Sequence, residues 1–298
     1  MTLLFKRCSP STPEKPDIRA DCCEFDMAVR SVQGVIPART AVRRFFERVL
    51  CALSLLSFAG FAQAEWNIVS TESEPGRAGI EHRHMLVEDS AAGQRVNVDV
   101  AIFSAKSCAL RVIDNPEGES LSTMMKREKC LCGVNGGYFD TEFKPIGLRI
   151  SDSRNLSPLR RARLITGILL QSHRGIDVIR VTQLSPAKEI VAAIQSGPFL
   201  VEGSKSIRGL NDSQLARRTF AGVASNDRAF LGVCSGVSLA ELANILVTAP
   251  VTANYKIRRA MNLDGGSSSA FWFSRENGGA FSIPGQKPVR DFVGVVSK

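Results

Sequence analysis

An apolar run at residues 49–62 (VLCALSLLSFAGFA) follows a basic patch of Arg43, Arg44 and Arg48 and ends in Ala62-Gln63-Ala64. A basic stretch, a short apolar stretch and a small-x-small site form the layout of a secretory signal peptide. The run is about 14 residues, short of the roughly 20 that span a bilayer as a helix. Residues 1–64 are therefore read as a leader and set aside from the fold. Residues 65–298 are left as one exported domain, periplasmic or secreted. An uncleaved membrane anchor is the competing reading. No cysteine follows the run directly, so a bacterial lipid anchor is not expected. The leader is long, and Met27 opens one of more ordinary length.

Without the leader, the chain carries 29 Lys and Arg against 23 Asp and Glu. This mild basic excess suits an anionic ligand or an anionic envelope, but it forms no basic block of the nucleic-acid-binding kind. At 44% hydrophobic the chain is too apolar for disorder. Four cysteines remain: Cys108, Cys130, Cys132 and Cys234. In an exported protein at least one disulfide is expected, with Cys130 or Cys132 reaching Cys108 or Cys234. C-x-C spacing and three scattered histidines (His82, His84, His173) argue against structural zinc.

Val96, Val98 and Val100 alternate with polar residues, and 109–113 continues as a strand closed by Asp114-Asn115-Pro116. Strands are also predicted at 146–150, 164–170, 176–181, 220–224, 229–234 and 289–296. Leu121, Met124 and Met125 at helical spacing predict a helix over 119–129, the Met pair filling core. Ser238 and Glu241 form a capping box that opens a helix over 238–246, and Pro250 lies beyond its end. Many strands with few helices argue α+β: a single domain with a twisted, largely antiparallel mixed sheet and a few covering helices.

Glycine and small polar residues cluster at four places: Val134-Asn135-Gly136-Gly137-Tyr138-Phe139-Asp140, Gln195-Ser196-Gly197-Pro198-Phe199, Arg217-Arg218-Thr219-Phe220-Ala221-Gly222-Val223, and Asn262-Leu263-Asp264-Gly265-Gly266-Ser267-Ser268-Ser269. In the last, consecutive glycines let backbone N–H groups turn toward one anion, and Ser267 and Ser268 add hydroxyls. Asp264 stands at the rim, where a carboxylate is repulsive to phosphate unless it has chemistry to do. Arg218 has the planar fork that grips two phosphate oxygens. Tyr138 and Phe139 beside amides suit a sugar face. Each cluster has a plainer reading as a turn or, for Arg218, a surface charge. No nucleophile elbow, phosphate loop or dinucleotide fingerprint occurs.

Together, N-G-G-Y-F at 135–139, P-x-G-L at 145–148, S-G-P-F at 196–199, R-R-T-F-A at 217–221 and N-L-D-G-G-S-S at 262–268, in this order, closely resemble the phosphodiester glycosidase family. The resemblance spans roughly 96–296. It implies hydrolysis of a sugar C1–O–phosphate link, releasing the sugar and a phosphomonoester. It carries the family's N-G-G motif onto Asn135, Gly136 and Gly137, its arginine onto Arg218, and its D-G-G-G-S onto Asp264, Gly265, Gly266 and Ser267. Serine stands at 267 where that motif has a third glycine.

The expected roles follow. Arg218 and the 265–268 loop hold phosphate, Asn135, Gly136, Gly137, Tyr138 and Gly197 position substrate, and Asp264 acts as base or electrostatic stabiliser. Asp140 and Glu202 are candidate second carboxylates that nothing in the sequence singles out. No cofactor is expected, and no metal-ligand spacing calls for the divalent cation that Asp264 leaves open. The partner is a phosphorylated glycan or sugar-1-phosphodiester, with neither nucleic acid nor a membrane span after processing. Two rivals stay open: a non-catalytic module binding phosphodiester-linked glycans, and a phosphodiesterase cutting P–O.

Overall fold

The structure is a computed structural model that describes residues 65–185 and 189–298. The leader and its processing site lie outside the described residues. Among the described residues, eighteen strands form three sheets. The largest has the order β1 (Trp66–Pro75), β2 (Glu81–Asp89), β3 (Arg95–Ser104), β14 (Arg228–Val237), β13 (Ala216–Ala224), β15 (Ile257–Asn262), β11 (Phe199–Glu202) and β12 (Lys205–Ser206). A second runs β7 (Arg154–Ser157), β6 (Arg149–Ser151), β10 (Ile190–Ser196), β8 (Gly167–Ser172) and β9 (Gly175–Arg180). The third runs β17 (Ala280–Ile283), β16 (Phe271–Ser274), β5 (Cys132–Asn135), β18 (Asp291–Ser297) and β4 (Cys108–Asp114).

Every pairing between these strands is antiparallel. The expected mixed sheet is thus corrected, and the molecule is more β-dominated than α+β conveys. Only two α-helices occur among the described residues, α1 (Leu121–Arg127) and α2 (Leu239–Thr248). Parallel pairing needs long crossovers, whereas most connections here are short turns. Among the described residues no helix is long and apolar enough to cross a membrane.

The period-two signal of β3 has a direct packing cause. Val96, Val98, Val100 and Ile102 face the core under α2, while Ala101 and Phe103 face the central core. That central core takes side chains from all three sheets, including Leu169, Ile194, Phe199, Leu231, Val134 and Phe271. Helix α2 seals the outer face of the large sheet with Leu242, Ile245 and Leu246. Its predicted capping box is formed: Ser238 Oγ accepts from the Glu241 N–H at 3.1 Å, and Glu241 Oε2 accepts from the Ser238 N–H at 2.7 Å. Helix α1 starts later than predicted because Ser120 is extended and caps it, accepting from the Thr123 N–H at 3.2 Å. Met124 and Met125 do fill core, against Ile113, Trp272 and Phe292.

The four cysteines of the domain are buried free thiols, which corrects the expected disulfide. Cys108 and Cys132 belong to the central core, Cys130 to the cluster under α1, and Cys234 to the core under α2. They serve as small apolar residues. Burial pushes the Cys130 thiol up to about 12, so it is inert as a thiolate nucleophile at neutral pH.

Candidate active site

Four of the motifs meet where the three sheets converge. Asn135 ends β5, Gly197 lies between β10 and β11, Arg218 and Thr219 open the inner part of β13, and Asn262 ends β15. The loop 263–270 joins β15 to β16 and carries Asp264. Asn135-Gly136-Gly137 is not a hairpin turn, because β5 pairs with β16 and β18, both distant in sequence.

Asn135 is fully buried. Its Nδ2 donates to the Asp264 carbonyl at 2.7 Å, and its Oδ1 accepts from Thr219 Oγ1 at 2.7 Å and from the Ala270 N–H at 3.0 Å. It therefore ties both ends of the 263–270 loop to β13, and its polar atoms are spent on that fold rather than left free for the expected contact with substrate.

Gly136 and Gly137 also act through packing. A Cβ on Gly136 would lie 1.9 Å from Asp291 Oδ1, and one on Gly137 would lie 2.1 Å from an Arg149 terminal nitrogen. Gly137 N–H donates to Asp291 Oδ1 at 2.8 Å, and Arg149 Nε donates to Asp291 Oδ2 at 2.6 Å. Arg149 also donates to the carbonyls of Leu148 at 3.0 Å, Gln195 at 2.9 Å and Tyr138 at 3.2 Å. Its side chain and that of Asp291 are only 1% and 2% exposed, so this pair is an interior staple between β6 and β18. Sequence reading missed both residues. Each is one charge among many, and only the glycines that make room for them gave a signal.

Tyr138 is half-buried. Its hydroxyl donates to the Gly197 carbonyl at 2.8 Å and accepts from Asn262 Nδ2 at 3.2 Å. Burial, and then the Asp264 carboxylate, push it up to about 12, with Asn262 and Arg218 opposing. It stays a neutral donor at any working pH. Both charges thus act on the Tyr138 hydroxyl, in opposite directions.

Arg218 is buried, with Nε donating to the Val237 carbonyl at 3.0 Å and one terminal nitrogen to the Gln214 carbonyl. Burial draws its guanidinium below the ordinary arginine value, opposed first by Tyr138. A guanidinium has five donors, and three stay uncommitted here. Arg217, by contrast, holds the loop, donating to the carbonyls of Ser269 and Pro284.

Asp264 is half-buried, and its Oδ1 accepts from the Gly265 N–H at 2.9 Å. Burial raises its carboxyl above the usual range, and the Asp291 charge adds to this. The Ser268 hydroxyl, the Lys287 ammonium and the Gly265 N–H oppose it. Gly266 takes φ +61°, a left-handed conformation that favours glycine, whereas Ser267 does not. Serine in place of the family's third glycine therefore costs no backbone strain. The Gly266 and Ser267 N–H groups have no partner among the described residues. Ser268 is fully buried, and its hydroxyl has no hydrogen-bond partner among the described residues.

The other candidates fall away. Asp140 closes a turn, accepting from the Glu142 and Lys144 N–H groups, each at 2.9 Å. Glu202 is engaged by Arg180 at 2.6 Å. His82 is spent between Glu74 at 2.8 Å and Asp99 at 2.9 Å. Among the described residues no three His, Cys, Asp or Glu side chains converge to hold a metal.

The model of the phosphodiester glycosidase family matches residues 128–296. The chain belongs to that family. Its fold is also that of a hypothetical protein from Synechocystis, at 14% identity and TM-score 0.55, covering 79% of this chain and 68% of that one. The catalytic domain of zebrafish N-acetylglucosamine-1-phosphodiester alpha-N-acetylglucosaminidase, solved auto-inhibited by its pro-peptide, is similar at 17% identity and TM-score 0.54. That similarity covers 78% of this chain and 89% of the zebrafish one. No match was found among curated proteins. The motifs that resemble this family fall on the 263–270 loop, on Arg218 and on the glycines that pack against Arg149 and Asp291.

One substitution tests the arginine of this family member directly. Arg218→Lys keeps the charge but loses the fork, and is expected to cost about 1–3 kcal/mol of transition-state stabilisation in kcat/KM. Arg218→Ala is expected to cost more and to abolish inhibition by inorganic phosphate. Unchanged phosphate inhibition in Arg218→Ala would remove Arg218 from the anion site.

Proposed function

We propose that the protein is an exported hydrolase that cleaves the sugar C1–O bond of a sugar-1-phosphodiester, in envelope or exopolysaccharide metabolism. The observation that carries this is the loop 263–270, with the half-buried Asp264 carboxylate and the unpartnered N–H groups of Gly266 and Ser267, set against β13 so that a Cβ on Gly265 would lie 3.8 Å from Cδ of Arg218, whose guanidinium keeps uncommitted donors. Membership of the family supports the reaction type.

Water adds to C1 while the C1–O bond breaks, and its electron pair leaves on the phosphate oxygen. Arg218 and the loop amides hold the growing negative charge, and donors fixed before reaction need no reorganisation. Asp264 faces the positive charge building on the anomeric carbon and takes the proton of the attacking water. The products are a free sugar and a phosphomonoester. Tyr138 and Asn262 fix the Gly197 carbonyl that lines the same place.

Hydrolysis of a panel of sugar-1-phosphodiesters in 18O-labelled water tests this reading. The label is expected in the sugar; label in the phosphate would make the enzyme a P–O phosphodiesterase. No turnover with retained binding would make it a glycan-binding module. Export is tested separately, by mass analysis of the periplasmic or secreted protein. An N-terminus at or near Glu65 is expected, and an intact membrane-embedded leader would overturn it.

A further inference from the structure

Between β7 and β8 the chain crosses the surface as Pro158-Leu159-Arg160-Arg161-Ala162-Arg163-Leu164, all seven residues exposed. From Asp152 to Asp177 no other acidic residue occurs, while five arginines do. Arg160, Arg161 and Arg163 form no ion pair among the described residues. By contrast, the nearby Arg180 and Arg259 are paired with Glu202 and Asp177.

The backbone of this segment is anchored. Gln195, fully buried, accepts from the Arg160 N–H at 3.0 Å and donates to the Arg160 carbonyl and to the Ile165 carbonyl at 2.9 Å. One side-chain amide thus clamps both ends of the arginine run. The same strand leads directly into Gly197, the residue whose carbonyl Tyr138 and Asn262 hold. A Cβ on Gly197 would sit 2.5 Å from the Leu164 carbonyl oxygen, so the basic segment abuts the wall of the candidate site. Arg161 also lines a cavity of about 250 Å³ together with Ile165, Thr166 and Arg180.

We infer that this segment is a binding rim for an anionic glycan chain whose phosphodiester charges repeat beyond the cleaved linkage. The inference rests on the hydrolase reading above and names its substrate class: a polymer or oligomer rather than a small sugar-1-phosphodiester. Leaving three cations unpaired and solvated on an anchored strap gives little stability, whereas a row of phosphates engages them by releasing counterions. Arginine forks suit that contact better than lysine.

The test uses linear polyphosphate of about ten units as the chain probe, with inorganic phosphate and an oligogalacturonate of equal charge as comparisons. The R160A/R161A/R163A variant is compared with the wild type by calorimetry across a salt series. At low salt the variant is expected to bind polyphosphate roughly tenfold or more weakly, with a log–log salt slope shallower by about 2. Its affinity for inorganic phosphate should be unchanged, and the triple lysine variant should recover part of the loss. Equal polyphosphate affinity in variant and wild type overturns the inference, as does tighter binding of the oligogalacturonate. These binding arms decide the matter even if no sugar-1-phosphodiester is turned over. Where turnover occurs, the alanine variant should raise KM for a phosphodiester oligomer at constant kcat and leave a short uncharged-aglycone substrate unaffected.

Discussion

Asp264→Asn is expected to reduce turnover by about 10²–10⁴-fold, the range of a lost proton acceptor, while making the protein more heat-stable. The amide oxygen can still accept from the Gly265 N–H, and Asn135 still grips the Asp264 carbonyl, so the loop keeps its shape. The charge is what changes. Burial first, and the Asp291 charge with it, raise the Asp264 carboxyl above its usual value of 3.8. Between 3.8 and the raised folded value the native state holds more protons than the unfolded state, so stability falls as pH rises. Above the folded value the full cost of the buried charge is present, and asparagine removes it. In the wild type, activity should therefore rise with pH along an acid limb displaced above the ordinary carboxylate range. Anion binding by the variant should be unchanged or tighter, because a repulsive charge is gone. Wild-type turnover in Asp264→Asn would reduce Asp264 to a turn residue. Kinetics, thermal melts and phosphate binding on one preparation separate these outcomes.

Asp291→Ala is expected to be the most damaging single change to the fold, at about 3–5 kcal/mol. It leaves the Arg149 guanidinium in the interior without its carboxylate and strips the Gly137 N–H of its acceptor. Arg149 cannot turn out to water, because it is held by the Leu148, Gln195 and Tyr138 carbonyls. Urea unfolding monitored by Trp66 and Trp272, both buried, gives the loss as a shift in midpoint at constant slope. Removing a carboxylate from an exposed pair, as in Glu142→Ala, should leave the midpoint nearly unchanged. Equal effects of the two substitutions would mean that the staple carries no more than a surface ion pair.

The two predictions divide the candidate site into a layer proposed to do the chemistry and a supporting one, and the sequence shows these layers unequally. Asp264 and Arg218 are legible as candidates because each is a charged residue in a motif of small ones, and both act electrostatically on Tyr138. Asn135, Gly136 and Gly137 are legible as a motif but not in role. From the sequence they are ligand contacts; in the fold Asn135 ties the 263–270 loop to β13, and Gly136 and Gly137 make room for Asp291 and Arg149. Gln195 is legible as the first residue of a Gln-Ser-Gly-Pro-Phe run but not as a clamp, because a buried amide shows that role only through the four backbone groups that converge on it.

Local physics was decisive for the helices and for many of the strands. The capping box at Ser238, the Met pair of α1 and the alternation of β3 each depend on residues a few positions apart, so they can be read directly from the chain. The five ordered motifs likewise carried the family. The division into three wholly antiparallel sheets was not readable, because β5 pairs with strands more than 130 residues away and pairing partners at that separation leave no periodic trace. The thiols stayed free for a related reason. Whether two cysteines meet depends on which core each faces, and only the tertiary packing of three sheets put Cys234 under α2 and Cys108 and Cys132 in the central core. The buried pair Arg149–Asp291 is the clearest case. Two opposite charges more than 140 residues apart become a staple only when folding removes water from both, and burial is a property of the assembled structure.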